Sequence, residues 1–321
     1  MDVVGKACLL VGIFVTVAWA SAGGPQNAEG EPLCGGERYE VAGGRGGVPP
    51  TLTLTVDGVT GAFLIDYGAT RSSLSAAAFG GPDGASRRAS LPLPGLGEGD
   101  FVLSIYDPRS GEIGILGADV LSRLTVQLSG GEAFFGTKSC DAKVLRADGF
   151  IPVSEKGFFS ANAADVDPAQ PNVPVVFARL GEVLAFAQVD TGYGDAVYPR
   201  SVDINQKLYD TLVASGAALT KVGGVGVRTC EGIVESRPVY SAHGVTLAIE
   251  NERGAAIART DHFFLIVKAA NGCGGIGGMK IPAAQLGASF LDLFGETIFD
   301  GKAGTVWLRS NAEAAPAQDG Q

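Results

Sequence analysis

One acid-bearing hairpin occurs twice in this chain, and a duplication of that size leaves few folds open. Pro50 stands sixteen residues before Asp66, and Pro174 stands sixteen before Asp190. The intervening stretches, "TLTLTVDGVTGAFLID" and "VVFARLGEVLAFAQVD", each read as two strands around a glycine turn. Both end as apolar strand, acid, any residue, glycine: "LIDYGAT" and "QVDTGYG". Downstream, "GILGADVLSRLTV" around Gly117 is echoed by "AQLGASFLDLFGE" around Gly287. A hydrophobic stretch closes each half, "GGEAFFG" and "GKAGTVWL". The unit is lobe-sized, which predicts two similar lobes rather than a solenoid.

The rest of the chain fits an all-β molecule with few short helices. Short apolar runs such as "GVTLAIENERG" and "HFFLIVKAANG" are punctuated by Gly and Asn turns. Short helices are expected at "ADVLSRL" and "SFLDLFG", and a longer one at "NQKLYDTLVASGA". Residues 1–22 read as an export signal, with Lys6, an apolar run from Ala7 to Ala20, and a small-residue cleavage site at Ala20-Ser21-Ala22. That run is too short to span a bilayer comfortably. The expected organisation continues with a flexible lead-in over 23–47, an N-terminal lobe over 48–150, a C-terminal lobe over 151–308 and a disordered tail over 309–321.

Signal removal would take Cys8 with it and leave Cys34, Cys140, Cys230 and Cys273. An even number in an exported chain points to disulfides. Three connectivities exist; Cys34–Cys140 with Cys230–Cys273 is favoured because each bridge stays within one half. Their spacing offers no zinc pattern, and no metal or cofactor is expected. The net charge of −10 carries no basic stripe, which argues against nucleic acid and anionic membrane surfaces. Only His243 and His262 are present, without HExxH or GxSxG, so metallohydrolase and nucleophile-elbow chemistry lose their usual support. "NGCGGIGGMK" lacks a P-loop ending, and "GGVGVR" fails dinucleotide spacing.

Burying one carboxylate at the end of a core strand is costly unless it has a partner or a task. Two lobes related by a rough twofold would bring Asp66 and Asp190 face to face. Carboxyls sharing one site cannot both ionise easily, so one keeps a proton. Such a pair can activate water with the charged member and hydrogen-bond a carbonyl oxygen with the other. Gly68 and Gly192 would allow close approach, with backbone N–H groups on the outer carboxylate oxygens. Gly117 and Gly287 would let a second segment pack under each turn.

At this point the chain resembles the aspartic proteases. Asp66-Tyr67-Gly68-Ala69-Thr70 and Asp190-Thr191-Gly192 are similar to their Asp-Thr/Ser-Gly signature, and "ILGADVLSRLTVQL" resembles a segment of the retropepsin-like members. The resemblance spans roughly 48–308. It implies a bilobal β-barrel fold with internal pseudo-twofold duplication, a peptide cleft between lobes, and Asp66 and Asp190 as the catalytic dyad. It also implies a flap, for which "PLPGLGEGDFVL" with Gly95, Leu96 and Gly97 is the candidate. Tyr67 departs from the pattern, since the family places there a Thr or Ser hydroxyl that braces the dyad across the lobes. Tyr193 and Gly194 depart as well. Gly23 to Leu33 holds no Lys or Arg, so no basic pro-segment of the pepsin kind is expected.

The expected function is therefore that of an exported aspartic endopeptidase, periplasmic or secreted, a monomer acting on peptides or unfolded protein. Tyr67 favours a competing reading, a non-catalytic module that binds a peptide or protein in the same cleft. A third reading keeps only a β scaffold with structural carboxylates.

Overall fold

The computed structural model describes residues 33–94, 96, 100–106, 111–153, 173–228, 234–269 and 275–310. These residues are mostly strand, in two large sheets. The first half supplies β1 (Glu37–Ala42), β2 (Thr51–Val56), β3 (Val59–Ile65), β4 (Ser73–Ser75) and β5 (Ser86–Ser90). It continues with β6 (Asp100–Tyr106), β7 (Gly114–Leu116), β8 (Thr125–Ser129), β9 (Glu132–Gly136) and β10 (Ile151–Pro152). The second half supplies β11 (Val175–Leu180), β12 (Val183–Val189), β13 (Ser201–Asn205), β14 (Ala218–Arg228), β15 (Val234–His243) and β16 (Leu247–Glu250). Last come β17 (Ala256–Thr260), β18 (Phe264–Lys268), β19 (Ala283–Leu286), β20 (Phe294–Asp300) and β21 (Thr305–Ser310).

The sequence repeat is a repeat of topology. One sheet contains the order β2-β3-β7-β4-β6-β5, and the other contains β11-β12-β19-β13-β18-β15. Step by step the pairings agree: antiparallel, parallel, antiparallel, parallel, antiparallel. Equivalent hydrogen bonds recur too. Ile65 N–H donates to Pro50 O and Val189 N–H to Pro174 O, both at 2.9 Å. Asp66 N–H donates to Leu116 O and Asp190 N–H to Leu286 O, again both at 2.9 Å. The first hairpin turns at Asp57 and Gly58, whose φ values of 48° and 80° match the twist of a tight two-residue turn.

Alternation along β2 buries Leu52, Leu54 and Val56 and leaves Thr53 and Thr55 outside. Buried residues of both sheets join one apolar cluster, Phe63 and Leu103 from the first sheet and Val202 and Ile204 from the second among them. The three expected helices are present as short elements: Ala118–Leu121, a 3₁₀ turn at Ala288–Leu293, and Gln206–Ala214. Asn205 caps the last through Oδ1, which accepts from Leu208 N–H at 2.9 Å.

Three boundaries differ from the expectation. The lead-in is not flexible throughout, because Glu37–Ala42 forms β1 and pairs with β9 and β2. The lobes do not divide at 150, because β10, β20 and β21 complete the first sheet, with β20 antiparallel to β8. Arg309 and Ser310 belong to β21 rather than to a tail. Turn composition dominates a local reading of 23–47, whereas strand pairing is decided by distant partners. Cys34 and Cys140 form a disulfide with 4.7 Å between Cα atoms. Leu145, Phe150, Ile298 and Trp307 make a small second core, with both cysteines packed against it. The expected Cys230–Cys273 bridge, the signal segment, Gly95 and Gly97 lie outside the described residues. No helix among those described is long and apolar enough to cross a membrane.

Candidate active site

Strands β3 and β12 run apolar to their ends and then turn, and each turn carries its acid toward the other lobe. Asp66 and Asp190 meet there, half-buried, with their carboxyl groups within hydrogen-bond reach. The glycines explain why so close an approach is open. A Cβ on Gly68 would fall within the Asp190 carboxyl, and one on Gly192 within the Asp66 carboxyl. Any side chain at either position would push the two acids apart.

Each turn is also braced from beneath. Asp66 Oδ1 accepts from Gly68 N–H at 2.8 Å and Ala69 N–H at 3.0 Å. Ala118 N–H donates to Ala69 O at 2.7 Å, and Ala288 N–H donates to Tyr193 O at 2.9 Å. Gly117 lies so close under the first turn that a Cβ would come 2.6 Å from Arg71 C. A Cβ on Gly287 would come 2.8 Å from Tyr193 O. Thr70 is exposed in a bend and takes no part in these bonds.

Thr191 ties the lobes together. Its hydroxyl donates to Ile65 O at 2.5 Å and accepts from Tyr67 N–H at 3.0 Å, so it spans the seam from the second lobe to the first. Tyr67 cannot reciprocate from its side chain, which turns away and stacks on Phe299 at 3.8 Å between ring centroids, 14° from parallel. One half of the reciprocal brace is thus a hydrogen bond and the other is aromatic packing against β20.

A second asymmetry was hidden in the sequence echo. In the first lobe Asp119 Oδ1 accepts from Ser72 N–H at 2.8 Å and Ser72 hydroxyl at 2.6 Å, and the Ser72 hydroxyl accepts from Gly117 N–H at 2.8 Å. In the second lobe the partners are exchanged: Ser289 donates its hydroxyl and its N–H to Asp195. The echo "LGAD" against "LGAS" carried that signal, but only if the exchange at Ser72 and Asp195 was sought with it. Burial pushes the Asp195 carboxyl up to about 6.

Electrostatics separate the two central acids. Burial raises Asp66 well above the usual carboxylate range, and the negative charge and hydrogen bond of Asp190 raise it further. Burial also raises Asp190, but its bond with Asp66, the Lys268 charge, the Gln285 amide and Gly192 N–H all oppose that rise. The two carboxyls therefore titrate as a pair, and the donors that favour a charge are gathered on the Asp190 side. Gln285, Lys268 and Asp203 were not foreseen as site residues, because nothing local marks them, whereas Tyr193 was marked only as a departure from the signature. Beside the acids lies a cavity of about 550 Å³, walled by Val48, Pro49, Tyr198, Val225 and Ile266, with Lys268 and Gln285 also lining it. Leu96, from the expected flap, instead packs on the apolar core and lines no part of this cavity.

No family model matches the chain, and no curated protein matches it. Among solved structures, it is similar to an aspartic proteinase from Irpex lacteus. The identity is 14%, over 87% of this chain and 98% of that one, with a TM-score of 0.45.

Proposed function

We propose that this protein is an exported aspartic endopeptidase whose dyad is Asp66 and Asp190. The observation that carries the reading is the approach of two carboxyls, from equivalent turns of a duplicated fold, close enough to share one proton. In the proposed reaction the Asp190 carboxylate takes a proton from water as its oxygen bonds to the peptide carbonyl carbon. Asp66 gives its proton to the carbonyl oxygen, forming a tetrahedral diol. Return of a diol proton to Asp66, and delivery of the Asp190 proton to nitrogen, breaks the C–N bond and restores both acids. The neighbouring cavity is large enough for a substrate side chain, in the size range of small-molecule and side-chain pockets. The Cys34–Cys140 bridge supports an oxidising compartment, in keeping with export.

Asp190→Asn is expected to abolish cleavage of an unstructured protein across acidic to neutral pH while the circular dichroism spectrum is retained. Cleavage surviving in that variant would remove the dyad assignment. A second reading, a peptide-binding module without catalysis, draws on the packing of Tyr67 against Phe299 in place of a bracing hydroxyl. Peptide binding by the wild-type protein, without hydrolysis at any pH from about 3 to 8, the span over which a carboxyl pair titrates, would select it.

A further inference from the structure

The two lobes differ most where they should agree. At the position before Leu-Gly-Ala, the first lobe has Ile115 and the second has Gln285. The Gln285 amide donates to Asp190 Oδ2, while its Oε1 accepts from Lys268 Nζ at 2.6 Å. An ammonium has only donors, so it compels the amide oxygen to face it and the amide NH₂ to face the acid. Both residues are buried, Gln285 at 5% exposure and Lys268 at 7%. A buried amide at position 285 is an expense that packing alone does not require, because apolar Ile115 fills the matching position of the other lobe.

The polar and charged groups around Asp190 come from both lobes and several strands. Asp66 faces it from the first lobe, and Gln285 on β19 touches it directly. Lys268 on β18 stands behind the amide and also pairs with Asp203 Oδ2 on β13 at 3.5 Å. Arg237 on β15 lies beyond Asp203 and is paired with Glu235 at 2.8 Å. Tyr193 closes the chain, its hydroxyl meeting Ser201 Oγ at 2.8 Å and Asp203 Oδ1 at 3.4 Å. Asp195, on the same turn, is engaged with Ser289. Among the described residues no corresponding cation is hydrogen-bonded behind Asp66, whose Oδ1 accepts from the backbone N–H groups of Gly68 and Ala69.

We propose that Lys268 and Gln285 are positioning residues that confine the negative charge of the pair to Asp190 and leave the proton on Asp66. This inference rests on Asp66 and Asp190 acting as a working pair, yet its test needs no cleavage. The aspartate carboxyl carbons of the folded protein are titrated by NMR in an Asp66→Asn background, where Asp190 ionises without its neighbour. Gln285→Leu and, separately, Lys268→Met are each expected to raise the Asp190 midpoint by about one pH unit, a tenfold gain in proton affinity. In an Asp190→Asn background the same substitutions are expected to move Asp66 by less than about a third of that.

An unmoved Asp190 midpoint, or equal movement of both acids, overturns the proposal. Gln285→Leu copies the apolar character of Ile115 and orphans no charge, so it remains informative if Lys268→Met fails to fold; Lys268→Met combined with Asp203→Asn serves the same end. A protein that shifts as expected but cuts nothing keeps the relay and loses the peptidase. One that cuts, with the acid limb of kcat/KM unmoved by Gln285→Leu, keeps the peptidase and loses the relay.

Discussion

Thr191 joins the lobes through two bonds made by one hydroxyl, and its replacement separates structure from chemistry. Thr191→Val keeps the shape but leaves Ile65 O and Tyr67 N–H without that partner in a buried seam. The expected cost is about 1–3 kcal/mol for the orphaned backbone groups, read as a lowered urea midpoint. Where cleavage is assayed, kcat should fall more than KM rises, because a displacement on the order of 1 Å between reacting groups costs about a hundredfold. An unchanged midpoint would mean that the hydroxyl is not what holds the seam. Asp66, Asp190 and their glycines were legible as a repeated pattern. The groups behind Asp190 were not, because the donors Gln285 and Lys268 and the carboxylate of Asp203 sit on three different strands.

At the scale of elements, β20 gives Tyr67 its meaning. The phenol ring is fully buried and stacked on Phe299, so it functions as core and anchors the first turn to the closing strand. Tyr67→Thr would restore the residue type of the resembled signature yet open a cavity over Phe299. The expected result is destabilisation by roughly 3 kcal/mol, in the range of large-to-small core substitutions, measured by thermal or urea unfolding. A gain in stability would show that the hydroxyl brace outweighs packing here. The expected hairpins were visible because turns and alternation are local signals. The pairing of β20 with β8, and of β1 with β9, was not, since edges of a sheet are matched by partners brought together only on folding.

For the whole molecule, the buried acids set a direction for stability against pH. Burial raises Asp66, Asp119, Asp190 and Asp203 above the ordinary carboxylate value, and takes Asp195 to about 6. A raised acid binds its proton in the folded state at pH values where the unfolded chain has lost it. The penalty is absent below the unfolded value near about 4 and grows as pH rises through the folded values. The melting temperature is therefore expected to be higher near about pH 4.5 than at about pH 7, and the difference should shrink in Asp66→Asn. A melting temperature that rises steadily toward neutral pH would contradict this assignment of protons.

Sequence alone determined the duplicated β architecture, the two acids at equivalent strand ends and the glycines beside them, and it narrowed the partners of Cys34 to three, among which the structure shows Cys140. Each follows from patterns that repeat or from a choice among few partners. Tertiary structure decided which strands complete the first sheet, that Tyr67 packs rather than braces, and that, among the described residues, a lysine and a glutamine stand behind Asp190 with no counterpart behind Asp66. Those outcomes depend on which distant side chains share a small, poorly solvated volume, and the energy of a charge there is set by neighbours that no local stretch of chain contains.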